Sequence, residues 1–343
     1  GGVRLSGKLD ENWRLGFLNI QNREDLNNEI ASNNNSMFAI QRKVFGESQV
    51  GFFMVNKQAF KDYDFLNEND SYNRVIGLDY NLASSNNRWT GKFYTHKSFQ
   101  PNDNKGNLSS FARILYNTRI WRILSATVYV DEDFRSDLGF IRRTGIIKTG
   151  NSITRNFYPK SGKINSHSFQ FRHLSWFQQN LNYLKTDESS YFNYTIRTNN
   201  QNQLEFEFNR KYVFLFKSFD PSRSPDAIAL PVNSDYRYNE WSLNYRLNYA
   251  NPFIFSFENM YGGFFNGTKF SSTGSIGYRF QPKLIFTLQW DYNKIKLPKP
   301  YSSNDIILVR PKFDITFSKK IFWSTLIQYS NLTKNLGINS RLQ

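Results

Sequence analysis

The stretch Leu284-Ile285-Phe286-Thr287-Leu288-Gln289-Trp290-Asp291-Tyr292 reads as a strand with two unlike faces. Successive side chains of an extended chain point to opposite sides. Leu284, Phe286, Leu288, Trp290 and Tyr292 therefore share one side, and Thr287, Gln289 and Asp291 share the other. The same period recurs outward in both directions. From Trp241 to Tyr249 every odd residue is apolar or aromatic and every even one polar. Leu204, Phe206 and Phe208 alternate with Glu205, Glu207 and Asn209. Ile307, Val309, Phe313, Ile315 and Phe317 alternate with Arg310, Lys312, Asp314 and Thr316. Near the start, Ile76, Leu78, Tyr80 and Leu82 alternate with Gly77, Asp79 and Asn81.

A soluble sandwich also alternates, but its strands are typically about five or six residues long. The runs here are about 9 to 14 residues, the length that crosses a bilayer at a tilt. Their polar side carries charge near strand centres, at Arg246, Asp291, Lys312 and Asp314, as a polar lumen would require. The fold expected is all-β: a transmembrane, antiparallel, up-and-down β-barrel of about 18–20 strands. It would be a single domain over residues 1–343.

Composition agrees. No run approaches the roughly 18 consecutive apolar residues of a membrane helix, and a barrel shows lipid only every second side chain, so its mean hydropathy stays low. Aromatic residues make up 17% of the chain, a load that suits lipid-facing walls and interfacial girdles better than a soluble core. Cysteine is absent, which excludes disulfides, thiolate metal sites and a cysteine nucleophile. The net charge of +16 raises nucleic acid as a partner, but Lys and Arg are scattered and no reading motif accompanies them. Basic side chains on walls, rims and loops would meet anionic lipid head groups or anionic solutes; the partners expected are outer-membrane lipid and lipopolysaccharide, with other outer-membrane or periplasmic proteins as further candidates.

Short turns are expected at residues 10–12, 46–47, 84–87, 199–202, 281–282 and 318–320. Long polar loops are expected at 23–36, 62–71, 100–107, 131–142, 178–190 and 219–235. Short periplasmic turns alternating with long external loops are the barrel pattern. Such counting gives about nineteen strands, whereas single-chain bacterial barrels have an even number. The expectation is a barrel incomplete at both ends, with about twenty strands when whole.

Four stretches carry a family resemblance. They are Gly1 to Lys8 with Gly16 to Gln21; Asp137-Leu138-Gly139-Phe140-Ile141-Arg142-Arg143-Thr144; Gly262 to Thr268 with Tyr278 to Pro282; and Phe313 to Trp323 with Ile327-Gln328-Tyr329. Together they resemble the C-terminal barrel of a Bacteroidota outer-membrane family of unknown function. In that family a sandwich resembling family-nine carbohydrate-binding modules precedes the barrel. The resemblance implies an outer-membrane location and an N-terminal sandwich absent from this chain. It supplies no catalytic or binding residues.

Little chemistry is legible. His167 and His173 lie six apart in a strand pattern, hence about 20 Å apart on one face and too far for a shared metal; with His96 they read as wall or rim residues. No serine is visibly coupled to a histidine, and no phosphate loop is present. Glu205 and Glu207 share a face, as a glycosidase pair would, but in a barrel wall such residues are lumen charges. No catalysis, metal or cofactor is expected. The residues expected to line the lumen are Glu205, Glu207, Arg246, Asp291, Arg310, Lys312 and Asp314. The function predicted is a solute pore or transport channel, carbohydrate-linked if the absent domain binds sugar. The alternative is a structural or assembly subunit. No internal plug is visible in the sequence.

Overall fold

Alternation over ten or more residues, punctuated by Asn, Asp, Ser and Gly, leaves the backbone only strand pairing to satisfy its polar groups. The computed structural model, which describes residues 1–102, 105–225 and 227–343, contains nineteen antiparallel strands in up-and-down order. The first eight are β1 (Gly2–Lys8), β2 (Trp13–Asn22), β3 (Asn33–Val44), β4 (Ser48–Ala59), β5 (Tyr72–Ala83), β6 (Trp89–Phe99), β7 (Leu108–Asn117) and β8 (Trp121–Val130). Then come β9 (Ile146–Phe157), β10 (Ile164–Gln178), β11 (Leu184–Thr198), β12 (Gln203–Phe214) and β13 (Asp235–Arg246). The last six are β14 (Phe253–Phe264), β15 (Gly267–Phe280), β16 (Leu284–Lys296), β17 (Asn304–Thr316), β18 (Phe322–Ser330) and β19 (Asn335–Leu342). Helix is confined, among the described residues, to 3₁₀ turns at Leu26–Asn28, Glu68–Asp70 and Gln179–Leu181. No helix is long and apolar enough to cross a membrane, which says nothing about crossing by strands.

The chain divides into two units, Gly1–Ile153 with Leu174–Lys185, and Thr154–His173 with Thr186–Gln343. In the first, β1 to β8 pair consecutively, with Leu5 opposite Phe17, Phe38 opposite Met54, and Leu78 opposite Thr95. In the second, β11 to β19 pair consecutively, with Phe208 opposite Phe192 and Trp241, and Leu288 opposite Ile276 and Pro311. Directly paired residues share a face, so each register carries one strand's alternation into the next.

The short turns are closed by side chains that imitate the backbone. Asp10 Oδ1 accepts from the amides of Asn12 and Trp13 at 2.7 and 2.8 Å. Ser84 Oγ accepts from Trp89 N at 3.0 Å, and Ser318 Oγ from Ile321 N at 3.1 Å. Between β3 and β4 the chain reverses through Phe45 and Gly46 at φ 49° and 81°, a left-handed pair that glycine adopts without penalty.

Several boundaries differ from expectation. The loop expected at 23–36 ends early, because β3 begins at Asn33 and its Asn-rich start, though polar, pairs with β2 and β4. The loop expected at 178–190 shrinks to residues 179–183, since Lys185 to Ser190 continue as strand in β11. At the other extreme, the alternation from Trp241 to Tyr249 outruns β13, which stops at Arg246, and Phe317 lies beyond β17. Asn248 and Asn251 bend the chain there by accepting from the amides of Ala250 and Phe253 at 3.0 Å each. Within the loops expected at 100–107 and 219–235, residues 103, 104 and 226 lie outside the described residues.

Conventional core is scarce. A small apolar cluster in the first unit joins Val75, Val130, Phe134 and Ile146, with Phe53, Val128 and Ile141 against it. Many large apolar side chains are exposed instead, among them Leu78, Phe206, Trp241 and Tyr261.

Candidate functional site

The registers assign every strand residue of β11–β19 to one of two faces. Glu205 lies opposite Asn244, Glu207 opposite Ser242, and Arg246 opposite Gln203. Arg310 lies opposite Gln289, Lys312 opposite Thr287, and Asp314 opposite Ile285, while Asp291 lies opposite Thr273. Followed strand by strand, all seven residues singled out from the sequence share one face of the second unit. Glu240, Glu258 and Lys269 join them through Gly262, Asn244 and the β14–β15 pairing. The spacing of Ser256 and Glu258 between Phe253, Phe255 and Phe257 carries that signal in the sequence.

The opposite face is of another kind. It presents Leu204, Phe206 and Phe208 on β12; Tyr245, Leu243 and Trp241 on β13; and Ile276, Leu288, Pro311 and Phe313 further along. Rings pack along it, as Phe208 with Trp241 at 4.4 Å and Phe286 with Phe313 at 5.0 Å. Its charges on β13, β16 and β17 are Arg237, Asp235, Lys294, Lys296 and Asp305, all toward the strand ends that meet residues 215–234 and 297–303, while β12 adds Arg210, four residues from its end at Phe214. Arg237 lies 5.1 Å over the Tyr212 ring. The first unit repeats the pattern: Val50, Phe52, Met54, Ile76, Leu78 and Phe93 share a face on which Arg42, Arg74 and Lys97 sit near strand ends.

Several charges on the polar face are held by local partners. Lys211 Nζ lies 2.6 Å from Glu240 Oε2, and Lys312 Nζ lies 2.8 Å from Asp314 Oδ2, while Asp314 Oδ1 accepts from Ser324 Oγ at 2.6 Å. Glu205 accepts from Asn193 Nδ2, and from Gln203 Nε2 at 3.3 Å. Arg310 is more weakly engaged: its terminal nitrogen is 3.7 Å from Asp291, and its Nε is buried without a partner.

A feature of the first unit escaped the sequence. Residues 131–145 fold against the polar face of their own unit. Phe134 packs with Val75 and Val130, both on that face. Arg135 N donates to Ser98 Oγ at 3.2 Å; Asn73 bridges the loop, donating to Arg135 O at 3.2 Å and accepting from Asp137 N at 3.0 Å. The Asp137 carboxylate takes Lys57 at 2.9 Å and Arg135 at 2.6 Å, and Arg135 also reaches Asp70 at 2.5 Å. Burial alone would raise the Asp137 carboxyl, but hydrogen bonds from Arg135 and Lys57, with their charges, outweigh it and hold it below the usual carboxylate range. In sequence these residues are only a mostly polar stretch with two Phe. Their partners lie on β4, β5, β6 and β8, and no local period reports that. A second clasp ties residues 23–32 to 60–71, where Glu24 meets Lys61 at 2.7 Å and the Tyr63 hydroxyl at 2.6 Å.

The histidines are more engaged than expected. His96 Nε2 lies 3.2 Å from Asp79 Oδ1, stacked on Tyr94 at 4.1 Å and edge-on to Phe53 at 4.7 Å. His167 stacks on Phe157 at 4.9 Å. The expectation that no serine meets a histidine is corrected: His173 Nδ1 and Ser190 Oγ are 2.9 Å apart across β10 and β11, a pairing of distant positions that no local motif announces. Among the described residues no group of three or more His, Asp or Glu could hold a metal ion. Neither protein-family models nor curated proteins show a match to this chain.

Proposed function

We propose that this chain is a transmembrane β-barrel of the bacterial outer membrane that passes small hydrophilic solutes along its polar face. The observation that carries the reading is the segregation of charge by register. One face keeps Glu207, Glu258, Asp291, Arg310 and Lys312 in mid-strand, while on β13, β16 and β17 the other is aromatic and aliphatic and charged only toward strand ends. A charge at the bilayer midplane of a barrel costs about 2–4 kcal/mol and almost nothing near the interface, so a lipid-facing wall must carry this pattern. Arg237, Lys294 and Lys296 then stand at the height of anionic head groups such as those of lipopolysaccharide. The resemblance to the Bacteroidota barrel family supports the same location.

In this reading the polar face lines the lumen, and residues 131–145 narrow it at the long-loop end. The loop is fixed by packing and by ion pairs rather than free to swing. The second reading, an assembly subunit presenting its loops to partners, draws on the two polar clasps that hold those loops in shape. Single-channel conductance of the folded chain in a planar bilayer tests the first reading. Steady ion-selective steps are expected. Silence from a chain shown by mobility shift to be folded would overturn it and favour the subunit.

A further inference from the structure

One line of residues crosses five strands of the second unit. Arg246 of β13 faces Ser256 of β14; Ser256 faces Ser275 of β15; Ser275 faces Gln289 of β16; Gln289 faces Arg310 of β17. Strands are about 4.8 Å apart, so the two arginine backbones stand about 19 Å apart with only the uncharged Ser256, Ser275 and Gln289 between them. The serines form a low floor, joined Oγ to Oγ at 2.8 Å. The parallel line beside it holds Asn244, Glu258, Thr273 and Asp291. Low floor and tall ends leave a hollow of about 300 Å³ bordered by both arginines.

We infer that this hollow is a binding site for a small hydroxylated oxyanion, with Arg246 and Arg310 taking the anionic group and the serine and amide line taking the hydroxyls. The inference rests on the proposed pore reading for its role, though not for its test. The arginines are the reason. Arg246 has no ion-pair partner among the described residues, and Arg310 has only the 3.7 Å contact to Asp291 and a buried Nε left over. An unpartnered buried donor in a native structure calls for an acceptor, and guanidinium groups bind carboxylate and phosphate oxygens in paired, charge-assisted hydrogen bonds. The surroundings choose among anions. Ser256, Ser275, Thr273, Gln289 and Asn244 both donate and accept, which suits hydroxyl groups and wastes nothing on bare chloride. Glu258 and Asp291 accept hydroxyl protons and repel high negative charge, favouring a single carboxylate over a dianion. The volume is at the lower end of small-ligand sites, the size of one sugar ring.

The test uses the folded chain in detergent, its fold verified by heat-dependent gel mobility, with glucuronate as the probe in equilibrium dialysis. Saturable binding is expected below about 10 mM. Losing one charge-assisted contact weakens affinity about tenfold or more, so R246Q and R310Q should each do so. R310K should recover part of the loss, which a merely unfolded variant would not. S275V should weaken glucuronate with the charge unchanged. Neutral glucose should bind at least about tenfold more weakly than glucuronate. Chloride at matched ionic strength should not displace the probe. Unsaturable uptake, equal displacement by chloride, or full affinity in R310Q would overturn the inference. A chain that binds glucuronate but conducts no ions would overturn the pore reading and leave the site standing.

Discussion

Ile276 lies in β15 on the aromatic face, opposite Phe255 and Leu288 and 38% exposed. If that face meets lipid, Ile276→Arg carries a guanidinium toward the middle of the apolar band. The cost in a membrane barrel is about 2–4 kcal/mol at the midplane, a loss of about 30-fold to nearly a thousandfold in the folding equilibrium. If the face meets water instead, the arginine stem still covers Phe255 and Leu288, and an exposed substitution stays within about 0.5 kcal/mol. Gln328→Arg, on the polar face of β18 opposite Gly337, is the matched control and should change stability by about 0.5 kcal/mol or less. Urea-titrated refolding into phospholipid vesicles, followed by tryptophan fluorescence and gel mobility, reads both. Equal midpoints for the two variants would refute the assignment of lipid to the aromatic face.

Gly77 sits where a Cβ would overlap the Phe53 and His96 rings, so Gly77→Ala should destabilise by about 1–3 kcal/mol through overpacking, read by the same refolding titration. The Asp137 carboxyl is held below its ordinary 3.8. Its contribution is therefore present above that value and fades as pH falls through the lowered one. Hydrogen exchange in residues 131–145, corrected for intrinsic rate, should rise only on acidification below the ordinary carboxylate range and should already be raised at neutral pH in Asp137→Asn. Reversing Arg310 and Lys312 to Glu turns two positive polar-face charges negative; the reversal potential in a salt gradient should shift toward cation preference, and no shift would remove both residues from the conduction path. Shortening residues 131–145 to a four-residue turn should raise single-channel conductance, whereas unchanged conductance would show that the loop does not narrow the pore.

The two faces were legible residue by residue because strand side chains obey a period of two and pairing preserves it. Glu205, Glu207, Arg246, Asp291, Arg310, Lys312 and Asp314 fell on one face without error, since each sat at the polar step of a clean alternation. Glu258 obeyed the same rule and was readable too. Strand ends were less legible. Asn33 to Asn35 looked like loop, yet the backbone of a polar residue pairs as well as any other. Leu247 and Tyr249 looked like strand, yet Asn248 turned the chain by a side-chain hydrogen bond.

By itself the sequence determined the all-β class, the nineteen-strand order and the split between a polar and an aromatic face, because these follow from periodicity along short stretches. Only the tertiary structure decided which residues meet across strands. Ser190 meets His173, Asp79 meets His96, and Asp137 collects Lys57 and Arg135. The line from Arg246 to Arg310 likewise exists only once five strands have chosen their register. Register is set by the sum of pairings over whole strands, and a contact between residues dozens of positions apart leaves no local trace in the chain that makes it.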